Sequence, residues 1–181
     1  MAGNRDKHSG KHPDKHAGNH PGKGATPATR LLDEAKVPYT VRHYEHDDGA
    51  PSYGLEAAEK LELPPEAVYK TLMVDLGGRL GVAMVPVAQN LDLKKFAALM
   101  GARKAVMADR HEAERRTGYV VGGISPLGQK RPSPAGIDNR VELLDTVYVS
   151  GGRRGLQIGL SPFDLIRLTS ALTAPIAATP A

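Results

Sequence analysis

The sequence predicts an α+β domain built around a mixed, mostly antiparallel sheet that is flanked by helices. Two glycine-rich segments, Gly77-Gly78 and Gly151–Gly155, each separate two apolar runs, which is typical of a β-hairpin. Helical and strand-like segments follow one another without the regular alternation of a doubly wound sheet. With 181 residues and 40% hydrophobic content, the chain suffices for one domain with a substantial core.

Capping residues and apolar spacing predict five helices. Thr26 and Pro27 open the first helix, which ends before Pro38, and Asp109 caps the fourth, which ends near Gly118. The other helices are expected at Ser52–Leu61, at Leu93–Met100 after the capping residue Asp92, and at Ser161–Leu172. The predicted strands are Tyr39–Glu45, Tyr69–Leu76, Arg79–Val85, Lys104–Met107, Thr146–Ser150 and Leu156–Leu160.

Both ends of the chain are predicted to be flexible. Residues 1–25 are rich in His, Lys and Gly, with histidine at every fourth position from His8 to His20, but the prolines and glycines among them oppose a helix. Weak metal binding and non-specific attraction to RNA are two interpretations of this tail, and neither assigns a metal site. Residues 173–181 are predicted to form a flexible C-terminal tail.

Composition limits the classes of function. The chain has no cysteine, which excludes disulfides, thiolate zinc sites and a cysteine nucleophile of the protein's own. There is no apolar run of about 20 residues and no apolar signal core, so we expect a soluble, cytoplasmic protein without membrane contact. The net charge is +4, but residues 1–24 hold five basic and two acidic residues. The rest of the chain then holds 19 basic and 18 acidic residues and is nearly neutral. Any RNA contact by the domain must therefore come from a local patch.

The run Gly122–Pro126 has the composition of a binding loop. Gly122 and Gly123 let the main chain approach a ligand closely, so that its N–H groups can converge on an anion or a carbonyl oxygen. Pro126 then restricts the relaxation of the loop. A turn that ends a strand is the alternative interpretation of the same residues.

Lys70 lies on the apolar face of its predicted strand, with Leu72, Val74 and Leu76. Because a buried ammonium needs a partner, we expect that of Lys70 to lie at the rim of a cavity or to contact an anion. The alternative is that the aliphatic part of the side chain extends so that the ammonium reaches solvent. Tyr44 ends the first strand and could bind a carbonyl or a ribose. No Ser-His-Asp set, nucleophile elbow or Walker loop can be assembled from the sequence, so a hydrolase with its own nucleophile is not indicated.

Six segments of the chain form a recognisable series: Tyr44–Asp47, Val68–Leu72, Pro86–Ala88, Leu91–Lys95, Thr117–Lys130 and Tyr148–Gly152. In sequence, order and spacing they closely resemble the YbaK/EbsC family of Cys-tRNA(Pro) deacylases, which is related to the editing insertion of prolyl-tRNA synthetases. The resemblance spans about residues 26–172. It implies a trans-editing enzyme that removes cysteine from tRNA(Pro), with the tRNA as partner, prolyl-tRNA synthetase as a further candidate partner, and no cofactor.

The resemblance also implies roles for individual residues. Those expected to be catalytic are Lys70, Gly122 and Gly123, and those expected to bind the substrate are Tyr44, Thr71, Ile124, Ser125, Ser150 and Gln157. Family members are thought to let the substrate's own thiol attack the ester carbonyl, which gives a cyclic thiolactone and free tRNA. Gln157 stands where well-known members carry an acidic residue; its neutral amide keeps hydrogen bonding but loses the charge, so the resemblance does not carry over any role of that carboxylate in holding the substrate ammonium.

Three alternatives stay open at the level of sequence. The first is a deacylase for another small aminoacyl-tRNA such as Ala-tRNA(Pro). The second is a non-catalytic module that binds tRNA or a synthetase, and the third is a metal-handling protein whose function lies in the histidine-rich tail. The oligomeric state does not follow from the sequence.

Overall fold

Five helices and ten strands form the computed structural model, which describes residues 24–180. The helices are α1 Pro27–Glu34, α2 Tyr53–Lys60, α3 Leu93–Leu99, α4 Arg110–Thr117 and α5 Pro162–Thr169. The strands are β1 Tyr39–His43, β2 Tyr69–Asp75, β3 Leu80–Pro86, β4 Asn90–Leu91, β5 Val106–Met107, β6 Ala135–Asp138, β7 Val147–Ser150, β8 Leu156–Leu160, β9 Leu172–Ala174 and β10 Ala177–Ala178. The predicted tail of residues 1–25 lies outside the described residues, apart from its last two positions.

The strands form one large and one smaller sheet, and a short pair. The large sheet has the order β5-β2-β3-β6-β9, in which β3 pairs with β6 and β6 with β9 in parallel. The smaller sheet, β1-β8-β7, is antiparallel throughout, and β4 pairs with β10. The prediction of an α+β fold with a mixed, mostly antiparallel sheet is confirmed, as are both hairpins.

One isolated bridge links the two sheets, where Val68 pairs in parallel with Tyr148 of β7. The main hydrophobic core lies between the sheets and includes Tyr69, Met73 and Ile158. A second core packs Val74 and Phe96 on the opposite face of the large sheet. Burial of apolar side chains on both faces explains why β3 is buried along its whole length.

The C-terminal segment differs from its prediction. We expected α5 to run to Leu172 and residues 173–181 to be flexible, but the helix ends at Thr169, because Ser170 adopts a left-handed conformation with φ of 51°. Leu172–Ala174 then joins the large sheet beside β6, and the following strand pairs with β4. Ile176 between them is fully buried. The sequence analysis missed these strands and β6 because each has only two to four residues.

A buried carboxylate fixes α2 against the segment that precedes it. Glu56 accepts hydrogen bonds from His46 Nδ1 at 2.7 Å, from the Asp47 N–H at 2.7 Å and from Lys60 Nζ at 2.9 Å. Burial opposes ionisation of this carboxyl, but the hydrogen bonds from Lys60, Asp47 and His46 outweigh it and lower the pKa to about 2. The network holds the first turn of α2 in place.

The buried position of Ile176 predicts that the C-terminal segment contributes to stability. Replacing Ile176 with Ala should lower the free energy of unfolding by about 2–4 kcal/mol, because it leaves a cavity in the second core. Thr173→Ala, at an exposed neighbouring position, is the matched control and should change it by less than about 0.5 kcal/mol. Urea unfolding measures both. Equal, small effects would show that residues 172–178 do not pack as described.

The Glu56 network predicts a specific dependence of stability on pH. Because its folded pKa is about 2 and its ordinary value is 4.5, the contribution is present above pH 4.5 and is lost as the pH falls towards 2. Glu56→Gln should cost roughly 1–3 kcal/mol at pH 7 and should make stability less dependent on pH between those values. Glu59→Gln, on the exposed side of α2, is the control. Parallel pH profiles for Glu56→Gln and the wild type would contradict this assignment.

Candidate functional site

A cavity of about 390 Å³ lies beside the bridge that links the two sheets. Its walls come from β2, from β7 and β8, from the first turn of α2, from α4 and from the glycine loop, defined here as residues 118–128. Cavities of this size commonly hold small ligands. The predicted site residues that line it are Lys70, Thr71, Gly122, Ile124, Ser150 and Gln157.

The edge of β2 forms one wall of the cavity. Successive residues of an antiparallel strand direct their peptide groups to opposite edges. The peptide groups of even-numbered residues face β3, as shown by the Val68 carbonyl, which accepts from the Val87 N–H. Those of odd-numbered residues face the other edge, where the Met73 carbonyl accepts from the Ala108 N–H. The peptide groups of Thr71 therefore face away from β3, on the side of the cavity. The buried Thr71 Oγ1 has no hydrogen-bond partner within residues 24–180.

Lys70 supplies positive charge to the cavity. Its side chain is half-buried and lies on the face of β2 that carries Leu72 and Val74, as the sequence predicted. Burial lowers the pKa of its ammonium, and no residue in the described part of the chain forms an ion pair or hydrogen bond with it. The other cation in the wall, Arg110, is paired with Glu114 at 3.2 Å. Lys70 is therefore suited to bind an anion or a polarised oxygen of a ligand.

The two glycines of the loop are required by close packing. Gly122 has φ of +91°, and a Cβ at this position would lie 2.7 Å from the ring of Tyr53. A Cβ on Gly123 would lie 2.8 Å from the backbone Cα of Arg153, in the loop between β7 and β8. Larger side chains would push the glycine loop away from α2 and from the second hairpin.

The hydrogen-bonding capacity of these glycines differs from the prediction that both N–H groups converge on a ligand. The Gly123 N–H already donates to the Val120 carbonyl at 2.9 Å. The Gly122 N–H donates to no acceptor among the described residues, and Gly122 lines the cavity whereas Gly123 does not. Of the two glycines, therefore, Gly122 is the candidate oxyanion donor, whereas Gly123 packs against the second hairpin.

Ser125 also differs from its predicted position. It is fully buried, its Oγ accepts from the Leu127 N–H at 3.2 Å, and its carbonyl accepts from Gln129 Nε2 at 3.0 Å. It does not line the cavity. Its hydroxyl is used to turn the glycine loop, as in other Ser-containing turns, rather than to contact a ligand. Ile124, its neighbour, is the apolar residue that reaches the cavity wall.

Gln157 and Tyr44 lie near each other, but only Gln157 lines the cavity. The buried Oε1 of Gln157 has no hydrogen-bond partner within residues 24–180. The Tyr44 N–H donates to the Gly155 carbonyl at 3.0 Å. Burial raises the pKa of the Tyr44 hydroxyl. Gln157 therefore presents an unpaired acceptor at the cavity, whereas Tyr44 lies outside its wall.

Ser150 ends β7 and lines the cavity. Its side chain is half-buried, and its Oγ accepts from the Gly152 N–H at 3.2 Å. The hydroxyl proton is free to be donated to a ligand oxygen.

Arg154 does not line the cavity but supports its wall, a role that the sequence analysis missed. Its Nε and Nη2 donate to the Val121 carbonyl at 3.2 and 2.8 Å, and its guanidinium carbon lies 5.1 Å from the centre of the Tyr53 ring. Arg154 thus connects the glycine loop, the second hairpin and α2. An arginine within a glycine-rich turn was the available signal, but we interpreted that segment only as a hairpin.

The cavity wall lacks the groups of a nucleophile and base pair. Within the described residues, no His, Asp, Glu or Cys lines the cavity. Its hydroxyl groups, such as those of Thr71 and Ser150, have no imidazole or carboxylate in the wall that could activate them. The wall instead offers the Lys70 amine, unpaired polar atoms and apolar surface. No hydrogen bond joins Lys70 to a hydroxyl group within the described residues, so the arrangement is one that orients a ligand and stabilises charge.

Two further findings concern the described range as a whole. Residues 24–180 contain no group of three or more His, Asp or Glu side chains that could hold a metal ion. None of their helices has the length and apolar character needed to cross a membrane. The four histidines of the N-terminal tail, from His8 to His20, lie outside these residues.

Comparison with known proteins gives a consistent result. Residues 50–168 match the aminoacyl-tRNA editing domain family. A protein of Enterococcus faecalis, provisionally named as the Cys-tRNA(Pro)/Cys-tRNA(Cys) deacylase EbsC, is 36% identical over 154 residues, covering 83% of this chain and 92% of that protein. A proline–tRNA ligase of Moorella thermoacetica is 32% identical over 68 residues, which are 38% of this chain and 12% of the ligase.

The fold has solved counterparts. One crystal structure, described as that of a candidate trans-editing enzyme for prolyl-tRNA synthetase, superposes with a TM-score of 0.73 at 22% sequence identity. The match covers 89% of this chain and 99% of the other. Residues 50–168, which match the family, include β2, the glycine loop and the second hairpin, and these elements build the cavity. The chain belongs to the aminoacyl-tRNA editing domain family.

Proposed function

We propose that the protein removes cysteine from mischarged Cys-tRNA(Pro) by cleaving the aminoacyl ester. The similarity to EbsC supports this substrate, and membership of the editing domain family supports the reaction class. The observation that carries the mechanism is the cavity wall, which offers Lys70 and unpaired polar atoms but no imidazole, carboxylate or thiol. The substrate therefore supplies the nucleophile.

In the proposed reaction, the thiolate of the bound cysteine attacks its own ester carbonyl carbon. A C–S bond forms, the bond from the carbonyl carbon to the ribose oxygen breaks, and the products are a four-membered thiolactone and tRNA. The thiol gives its proton to water, and the departing ribose oxygen takes one up. A thiol with a pKa of about 8.5 is a few per cent ionised near neutrality, and attack within one molecule has a high effective concentration.

Each residue of the wall has a place in this reaction. The Gly122 N–H stabilises the negative charge that develops on the carbonyl oxygen, and Lys70 neutralises the terminal phosphate or polarises the ester. Gln157 Oε1 accepts a hydrogen bond from the α-ammonium of the substrate, and Tyr44 lies beside the Gln157 side chain. Thr71 and Ser150 bind the remaining oxygens of the aminoacyl end. These contacts fold the substrate for its own cleavage.

The proposal also places the protein in translation. The partial similarity to proline–tRNA ligase supports an action on tRNA that such a ligase has mischarged, with the cytoplasm as the site of action. Docking on the synthetase is an extension of this proposal. Docking would raise the local concentration of mischarged tRNA at the cavity as that tRNA leaves the ligase.

The mechanism predicts that cleavage requires a free thiol. The wild type should hydrolyse Cys-tRNA(Pro) at least about 100-fold faster than S-methylcysteinyl-tRNA(Pro) or Ala-tRNA(Pro), because neither of the latter can form the thiolactone. Single-turnover deacylation of the three substrates measures this difference. Rapid cleavage of the S-methyl substrate would rule out thiol attack, and rapid cleavage of the alanyl substrate would assign the protein a different specificity.

The unpaired ammonium predicts a loss of catalysis on substitution. Lys70→Ala should lower kcat/KM for Cys-tRNA(Pro) by about 100-fold, because a charge in a partly buried site is lost. Lys94→Ala, at an exposed position on α3, is the matched control and should act as the wild type. If Lys70→Ala weakens tRNA binding but leaves the single-turnover rate at saturating enzyme unchanged, Lys70 contributes only to binding.

A further inference from the structure

A second concavity, of about 270 Å³, lies on the other side of α4 from the cavity. We call it the arginine groove. Four arginines line it together with the single acidic residue Glu112: Arg79, Arg115, Arg116 and Arg131. It has no part in the cavity wall, and the sequence analysis did not single out any of these residues.

The arginine groove concentrates charge that the rest of the domain lacks. Residues 25–181 hold 19 basic and 18 acidic residues, so their net charge is close to zero, whereas the wall of the groove carries four guanidinium groups and one carboxylate. None of the four arginines forms an ion pair within residues 24–180. Unneutralised guanidinium groups clustered at one concave surface favour a ligand with several negative charges.

Two of the arginines are held in place and two are free to bind. Arg79 Nη2 donates to the Met100 carbonyl at 2.6 Å, and Arg116 donates to Ser133 Oγ at 3.1 Å and to the Pro132 carbonyl at 2.8 Å. Arg115 and Arg131 are exposed, and their guanidinium groups have no hydrogen-bond partner in the described part of the chain, although the Arg131 backbone N–H donates to the Arg116 carbonyl at 3.1 Å. The groove thus combines two arginines held in place by hydrogen bonds with two that can adjust to phosphate groups.

The position of the groove relative to the cavity points to its ligand. Arg110 and Ala113 of α4 line the cavity, whereas Arg115 and Arg116 of the same helix line the groove. From Arg110 to Arg115 the helix rises about 8 Å, at 1.5 Å per residue, and it is about 10–12 Å wide with its side chains, so the path around α4 is on the order of 13–19 Å. A strand of nucleic acid spans that distance in about four to six nucleotides at 3.4 Å each. An RNA whose 3′ end enters the cavity can therefore reach the groove close to that end.

We propose that the arginine groove binds the phosphate backbone of the tRNA acceptor arm, next to the aminoacylated 3′ end that occupies the cavity. This inference rests on the proposed function for the identity of the RNA. The contact is with phosphates and carries no base specificity. Its contribution is to bind the tRNA body and to position the 3′ end, while discrimination of the amino acid belongs to the cavity.

The double variant Arg115→Gln/Arg131→Gln tests this proposal, because neither residue contacts the cavity or holds the fold. We expect its Kd for tRNA(Pro) to rise about tenfold, and the slope of log K against log salt to fall by about two. Deacylation of full-length Cys-tRNA(Pro) at subsaturating enzyme should slow by the same factor. Deacylation of a cysteinylated CCA trinucleotide, which lacks the acceptor stem, should not change. Arg30→Gln/Lys94→Gln removes the same charge from exposed positions outside both concavities and is the control.

Two results would overturn the proposal: an affinity for tRNA within twofold of the wild type, or an equal loss of affinity in the control variant. The second result would show that net charge, rather than the groove, binds the RNA. If the wild type cleaves neither substrate, the proposed function fails, but the binding measurements still decide whether the groove binds RNA. If it cleaves both and the double variant binds and cleaves tRNA normally, only the groove proposal fails.

Discussion

The close contact between the glycine loop and the second hairpin determines the shape of the site. A Cβ on Gly123 would lie 2.8 Å from the Cα of Arg153, and Arg154 donates twice to the Val121 carbonyl. Backbones can approach this closely only where side chains are missing. The contact holds Gly122 and Ile124 in the same cavity wall as β2, next to the bridge between the two sheets.

The chemistry of the cavity follows from what this packing encloses. Lys70 is half-buried without a counter-ion, and the polar atoms Thr71 Oγ1 and Gln157 Oε1 are unpaired in the described residues. A ligand in the cavity can form hydrogen bonds with these polar groups and an ion pair with Lys70. A site of this kind binds and orients. Because the wall holds no imidazole, carboxylate or thiol within the described residues, we propose that the thiol of the substrate is the nucleophile.

The sequence predicted the fold class, both hairpins and the five helices, because these depend on local signals such as capping residues and paired glycines. It did not predict β6 or the C-terminal strands, which are too short to show a period and depend on pairing with distant partners. Lys70 was placed correctly because strand alternation fixes its face. The positions of three other residues depend on hydrogen bonds that the sequence does not reveal. The Gly123 N–H and the Ser125 hydroxyl form hydrogen bonds within the glycine loop, and Arg154 donates to the Val121 carbonyl.

The most direct test of the account is a crystal structure with a stable substrate analogue, in which cysteine is joined to the terminal adenosine through an amide instead of the ester. We predict that the cysteinyl group occupies the cavity, with its carbonyl oxygen beside the Gly122 N–H and its ammonium beside Gln157 Oε1. The thiol should lie within van der Waals contact of the carbonyl carbon, as attack requires. Binding of the cysteinyl group outside the cavity, or in an orientation that directs the thiol away from the carbonyl, would contradict the account.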